Sequence, residues 1–147
     1  MITVRTLLRF KGYEVWRVTP QTATIDALLF MKEKDVGALL VMEADKIAGI
    51  ISERDFVRLI ADMGICDLTK PVQDFMTKDV FVVTPDQTIE ECMRLMTNKH
   101  IRHLPVLESG KLVGLISIGD VINEIISNQE IQITNLENYI EGRGYIT

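Results

Sequence analysis

The sequence predicts an α/β (α+β) fold of two β-α-β-β-α repeats packed sheet to sheet with pseudo-two-fold symmetry. Three observations lead there. "GIISERD" at 49–55 returns as "GLISIGD" at 114–120, and laying 18–55 over 83–120 without a gap gives identity at Val18/Val83, Thr19/Thr84, Pro20/Pro85, Met31/Met96, Lys34/Lys99, Val41/Val106, Glu43/Glu108, Lys46/Lys111, Gly49/Gly114, Ile51/Ile116, Ser52/Ser117 and Asp55/Asp120. The hydrophobic spacing then changes between strand and helix periods in the same order in both copies. Finally, a unit of about 60 residues is too small to hide both faces of a three-stranded sheet, and a second copy laid against it relieves that exposure.

Each unit opens on a β-branched and aromatic run ended by proline, "VWRVTP" and "VFVVTP", which predicts a strand and a turn. "TIDALLFMKEKD" and "TIEECMRLMTNKH" follow with apolar residues at helical intervals, placing Ala27, Phe30, Met31 and Cys92, Leu95, Met96 inward. "GALLVM" and "RHLPVL" are second strands and "KIAGIIS" and "KLVGLIS" third ones, joined by the tight polar turns "EADK" and "ESGK". Residues 53–63 and 118–128 close the copies as second helices.

The division that results is an N-terminal helical or linker segment at 1–14, repeats at 15–63 and 80–128, a connector at 64–79 and a C-terminal tail at 129–147. In the connector, Pro71 ends a helix, and Val72, Phe75 and Met76 suit one helical turn against the core. In the tail, Ile133, Leu136 and Ile140 stand at three- and four-residue spacing before Gly142 and Gly144, which predicts a short amphipathic helix that caps the module or crosses to a partner subunit.

Composition narrows the function. A 147-residue chain that is 47% hydrophobic and 25% charged is an ordinary globular chain. A net charge of -5 gives no general attraction to nucleic acid or anionic lipid, so any phosphate contact has to come from a local cluster. No apolar run approaches the roughly 18 residues that span a bilayer, and a cytoplasmic protein is expected. Arg5, Arg9 and Lys11 without an acid in the first eleven residues resemble a targeting segment in composition, but Val4, Leu7 and Leu8 fit a short docked helix better. Cys66 and Cys92 form no CxxC, and Cys92 with His100 and His103 matches no common ligand spacing, so no metal is expected. Glycine-rich phosphate loops, nucleophile elbows and a lysine site for a pyridoxal cofactor are all missing, so the chain reads as a non-enzyme without catalytic cofactor.

The repeated glycine-to-aspartate stretch supports two readings. Ser52 with Asp55, and Ser117 with Asp120, suit a capping box in which hydroxyl and carboxylate satisfy exposed amides at a helix start. The same corner offers free amides and a partial positive charge to an anion, while a carboxylate accepts both protons of a cis-diol; phosphate and ribose together describe a nucleotide.

The two G-h-h-S-x-x-D stretches, the doubled "VTP", "SERD", "CMRLMTNKHIRHLPV", "LVGLISIGDV" and "LENYI" resemble a tandem pair of CBS domains of the small stand-alone type, from about residue 15 to 127. The resemblance implies a homodimeric disc that binds an adenosine-containing ligand (AMP, ATP, NAD or S-adenosylmethionine) in clefts between the repeats and reports energy or redox state to a regulated protein partner. Carried over by position, Asp55 and Asp120 hold ribose hydroxyls, Ser52 and Ser117 lie near ribose or phosphate, and Arg54, Arg102 and His103 become phosphate candidates, with a solvated surface charge as the other reading of each arginine. Val15 and Val80 are implied as base contacts, and Pro105 is counted with the site as a source of irregularity or an edge position in its strand.

On a regular strand Arg102 and His103 point to opposite faces. Repeat one carries Gly37 and Ala38 where repeat two has Arg102 and His103, and repeat two carries Gly119 where repeat one has Arg54, so unequal sites are expected. A structural scaffold with empty clefts is the alternative, which would not need both aspartates with basic residues beside them.

Overall fold

A computed structural model describes residues 1–64 and 67–142; Cys66 and Gly144, weighed above, lie outside them. The chain runs α1 (Val4–Lys11), β1 (Arg17–Val18), α2 (Thr24–Lys34), β2 (Ala38–Glu43), β3 (Lys46–Ser52), α3 (Glu53–Met63), a 3-10 turn (Val72–Asp74), α4 (Ile89–Lys99), β4 (His103–Glu108), β5 (Lys111–Ser117) and α5 (Ile118–Ile140). Each repeat is built on an antiparallel hairpin, with Val41 opposite Gly49 in one and Val106 opposite Gly114 in the other. Both hairpins slip register one residue later, at Val41/Met42 and Val106/Leu107. Pro105 is therefore not the cause of the irregularity, because Leu40 occupies its place in repeat one.

Pro105 has a different consequence. The Leu40 amide donates to the Trp16 carbonyl at 3.3 Å, which helps β1 run parallel to β2. Proline has no such donor. The expected strand in "VFVVTP" accordingly shrinks to a single bridge between Val83 and Val106, whereas "VWRVTP" keeps a strand of two residues.

One core gathers Ala27, Met31, Leu39, Val41, Ile51, Phe56 and Val72, and the other Leu7, Leu8, Ile89, Cys92, Met96, Leu104, Val106 and Ile116 among its members. Side chains alternate along a strand. Ala38 and Leu40 thus lie on the sheet face opposite Leu39 and Val41, yet all four are buried, so both faces of this sheet are covered, as expected of repeats laid against each other.

The segment ahead of each repeat packs on the other one. The Val4 and Arg5 amides donate to the Gln87 and Pro85 carbonyls, each at 2.9 Å. In the same pattern the Val72 and Gln73 amides donate to the carbonyls of Thr22 and Pro20, at 2.8 and 3.2 Å. Val4, Leu7 and Leu8 are buried in the second core and Val72 in the first. The N-terminal segment is thus the docked helix its apolar residues favour.

This crossing explains the repeated glycine. A Cβ on Gly49 would stand 2.7 Å from Met76 Sδ and 2.8 Å from the Thr77 carbonyl oxygen, and one on Gly114 2.7 Å from Leu8 Cδ2. Each glycine is the seat on which the crossing segment rests.

The C-terminal part differs from expectation. In place of a helix ending at 128 and a separate one in the tail, α5 continues for 23 residues. "SNQE" at 127–130 contains neither proline nor glycine, so nothing interrupts the backbone hydrogen-bond ladder there.

Candidate functional site

Strand β3 ends and α3 begins at Ser52, whose extended backbone (φ -128°, ψ 166°) turns the chain into the helix. Asp55, on the first turn, accepts the Ser52 amide at 2.8 Å and its hydroxyl at 3.1 Å on Oδ2, and the Thr77 hydroxyl at 3.1 Å on Oδ1. Ser117 and Asp120 repeat the arrangement: the Ser117 amide donates to Asp120 Oδ2 at 2.8 Å and the Asp120 amide to Ser117 Oγ at 3.1 Å. The capping role is present in both copies.

Beside Asp55 opens a cleft of about 370 Å³, shared between the repeats. Repeat one contributes Gly37, Ile50 and residues 52–55 with Arg58; the connector contributes Thr77 and Asp79; the start of repeat two contributes Val80 and Phe81, and its α4–β4 corner residues 99–103. Thus Ser52, Arg54, Asp55, Val80, Arg102 and His103 meet in one place. Ser117, Asp120, Val15 and Pro105 do not line it; Pro105 is buried in β4 opposite Leu115.

Arg102 and His103 face the same cleft despite being consecutive. Strand β4 starts only at His103, and the Arg102 carbonyl is drawn aside to accept the Ile118 amide at 2.8 Å, so strand alternation does not extend to Arg102. Arg54 Nη1 donates to the His100 carbonyl at 3.0 Å, which joins α3 to the left-handed residue that ends α4. Burial pushes the His103 imidazole below its ordinary 6.5, and Lys11 and Arg102 add to that against the opposing pull of Asp120.

Arg58, Lys99 and Thr77 complete the surroundings, and sequence reasoning missed all three. Arg58 lies one helical turn beyond Arg54, a spacing that brings two side chains onto one face. Lys99 Nζ stands 5.2 Å from the centre of the Phe81 ring. The duplicated Lys34 does the same over Trp16 at 4.4 Å, so the Lys34/Lys99 identity was a usable signal. Only the path of the connector brings Thr77 to Asp55. Arg54, Arg58, Lys99 and Arg102 set four cations against Glu53, Asp55 and Asp79 in a chain of net charge -5. The local basic cluster that phosphate recognition requires is present.

The counterpart corner at Asp120 is different. Lys11 Nζ reaches Asp120 Oδ2 and the Leu115 carbonyl, both at 2.5 Å, and Gly37, Ala38 and Gly119 occupy the places of Arg102, His103 and Arg54. Burial raises the Asp120 pKa, but the bonds from Lys11 and Ser117 together outweigh it and hold the carboxyl below its ordinary 3.8.

Among the described residues, no three His, Cys, Asp or Glu side chains gather as a metal site, and burial pushes the Cys92 thiol up to about 11. Among the same residues no helix is long and apolar enough to cross a membrane.

The CBS domain family model matches residues 13–62 and again 72–127. The chain belongs to the CBS-domain family. As a CBS pair it is 35% identical to the mitochondrial CBS domain-containing protein CBSX3 of Arabidopsis thaliana, over 97% of this chain and 73% of that one. Among solved structures, a protein with CBS domains from Burkholderia ambifaria MC40-6 superposes with a TM-score of 0.81 at 43% identity, covering 86% of this chain and 96% of the other. The structure of CBSX2 in complex with AMP superposes at 0.72 with 28% identity, covering 88% and 99%. The cleft between the repeats of this CBS pair is the feature to which a ligand is to be assigned.

Proposed function

We propose that this CBS pair is a non-catalytic regulatory module that binds an adenosine-containing nucleotide (AMP, ATP, NAD or S-adenosylmethionine) in the cleft at Asp55 and acts as an energy or redox sensor. The observation that carries the reading is the meeting, across the repeat boundary, of one helix-start carboxylate with Arg54, Arg58, Lys99 and Arg102. Asp55 accepts the ribose hydroxyls, the arginines offer donor forks to phosphate, and Val80 with Ile50 gives the base apolar contact. The AMP complex of the similar CBSX2 supports the ligand class.

Signalling follows from the site's composition. A ligand that touches both repeats binds some relative placements of them better than others, and only that difference shifts a population. The output surface we infer is a homodimer face: Val57 and Ile60 on α3, and Ile122 and Ile126 on α5, are apolar and between 40% and 67% exposed. A regulated protein partner reads the resulting geometry. A similar CBS domain-containing protein is mitochondrial, so the reading does not depend on the cytoplasmic location expected from the sequence.

Thermal melting against AMP, ADP, ATP, NAD, NADH and S-adenosylmethionine tests the class, because a ligand that binds only the folded state raises stability. At least one of the panel is expected to raise the melting temperature. Asp55→Ala, titrated calorimetrically with that ligand, is expected to lose roughly tenfold to a hundredfold in affinity, about 1.5 to 3 kcal/mol, through loss of a charge-assisted contact. Unchanged melting with the whole panel favours the scaffold reading.

A further inference from the structure

The two aspartates meet different partners, and the difference traces to the length of the crossing segments. Val4 and Leu8 correspond to Val72 and Met76, which lie 68 residues further on, while the repeats themselves are displaced by 65. The first crossing segment is therefore followed by three additional residues before its repeat begins. They prolong α1 as far as Lys11, where the connector forms only its 3-10 turn.

In the Asp55 cleft the crossing segment supplies Thr77. Its amide donates to the Ile50 carbonyl at 2.9 Å and its hydroxyl to Asp55 Oδ1 at 3.1 Å. At the Asp120 corner the ammonium of Lys11 serves the corresponding carbonyl, that of Leu115, and the corresponding carboxylate, though through Oδ2, the oxygen that also accepts the Ser117 amide. One charged side chain thus replaces a backbone amide and a neutral hydroxyl. A hydroxyl leaves the charge of Asp55 in place, and a ligand hydroxyl can substitute for it. The ammonium offsets the charge of Asp120 and takes an oxygen, Oδ2, of the carboxylate whose acceptors a ribose diol would need for its two O–H donors.

We propose that Lys11 is a built-in occupant of the second cleft and limits the chain to a single nucleotide, bound at Asp55. The proposal rests on the nucleotide reading of the Asp55 cleft. It also sets the chemistry of the second cleft once opened. With Gly37, Ala38 and Gly119 at the positions that carry Arg102, His103 and Arg54 on the other side, the freed Asp120 has a diol acceptor and, of those three donors, only His103, which interacts with it electrostatically, so a nucleoside suits it better than a nucleotide.

Calorimetric titration of AMP and of adenosine into the wild type, Lys11→Ala, Lys11→Met, Lys11→Arg and the double variant Lys11→Ala/Asp55→Ala tests this. The wild type is expected to bind one AMP per chain. Lys11→Ala and Lys11→Met keep that site and gain a second that takes adenosine, Lys11→Arg gains none, and the double variant retains only the gained site. Two sites in the wild type, or no gained site in either neutral variant, overturns the role of Lys11 and leaves the Asp55 reading standing. A wild type that ignores AMP while the neutral variants gain adenosine binding overturns the Asp55 reading and supports Lys11. Silence from every protein overturns both.

Discussion

At His103 the imidazole is half-buried, and its surroundings give the cleft a pH dependence. Burial first, then Lys11 and Arg102, hold its pKa below 6.5, with Asp120 pulling the other way. As pH falls below 6.5 the unfolded chain takes up this proton before the folded one does, so the stabilisation from a neutral His103 is present above 6.5 and is lost as pH falls toward the lowered value. A bound phosphate reverses the preference, because an anion favours the imidazolium. The expected outcome is a nucleotide affinity that rises as pH drops below 6.5 while the stability of the free protein declines. His103→Gln should lessen both trends, checked by calorimetry and by urea unfolding at several pH values. At this scale Ser52, Asp55, Arg102 and His103 could be read from a short motif and its neighbours. Thr77 could not, because 22 residues separate it from Asp55 and no local pattern binds them.

Helices α2 and α4 bury residues that their spacing places inward, Ala27 and Met31 in one and Cys92 and Met96 in the other, since burial of one face is what fixes an amphipathic helix. The elements that departed from expectation did so for backbone reasons. Pro105 withheld a donor and shortened a strand, while the lack of a breaker at 127–130 joined two helices into α5. The repeated glycines make a prediction of their own. Gly49→Ala places a methyl group against Met76 and against the Thr77 carbonyl, which is held by its own sheet bridge to Ile50. Gly114→Ala meets only the flexible end of Leu8. Overpacking of a tight site costs about 1 to 3 kcal/mol, and Gly49→Ala is expected near the top of that range with Gly114→Ala near the bottom. Urea denaturation measures the difference. Because Thr77 touches Asp55, Gly49→Ala should also weaken nucleotide binding.

For the whole molecule the crossing segments matter most, because they tie each repeat to residues that precede the other and make the pair one folding unit. Outside that unit α3 and α5 present Val57, Ile60, Ile122 and Ile126, and α5 continues with Ile133, Leu136 and Ile140, all exposed. Exposed apolar side chains in this number on two helices suit the kind of surface that marks interfaces. Val57→Glu with Ile122→Glu is expected to shift the protein toward monomer, checked by light scattering after size exclusion. The folded monomer should retain its helical circular dichroism, since neither side chain belongs to a core.

The sequence by itself determined the duplication, and with it the family, the paired helix-start carboxylates and the inequality of their basic neighbours. Such features are local: a period, a cap or a repeated motif is written in adjacent residues. Only the tertiary structure decided that Arg102 and His103 of one repeat line the cleft beside Asp55 of the other, with His103 also under the influence of Asp120 and Lys11, that the glycines seat the crossing segments, and that Lys11 pairs with Asp120. Those contacts join residues separated by tens of positions along the chain, and the path that unites them is set by how the two sheets and the three extra residues of the leading segment pack.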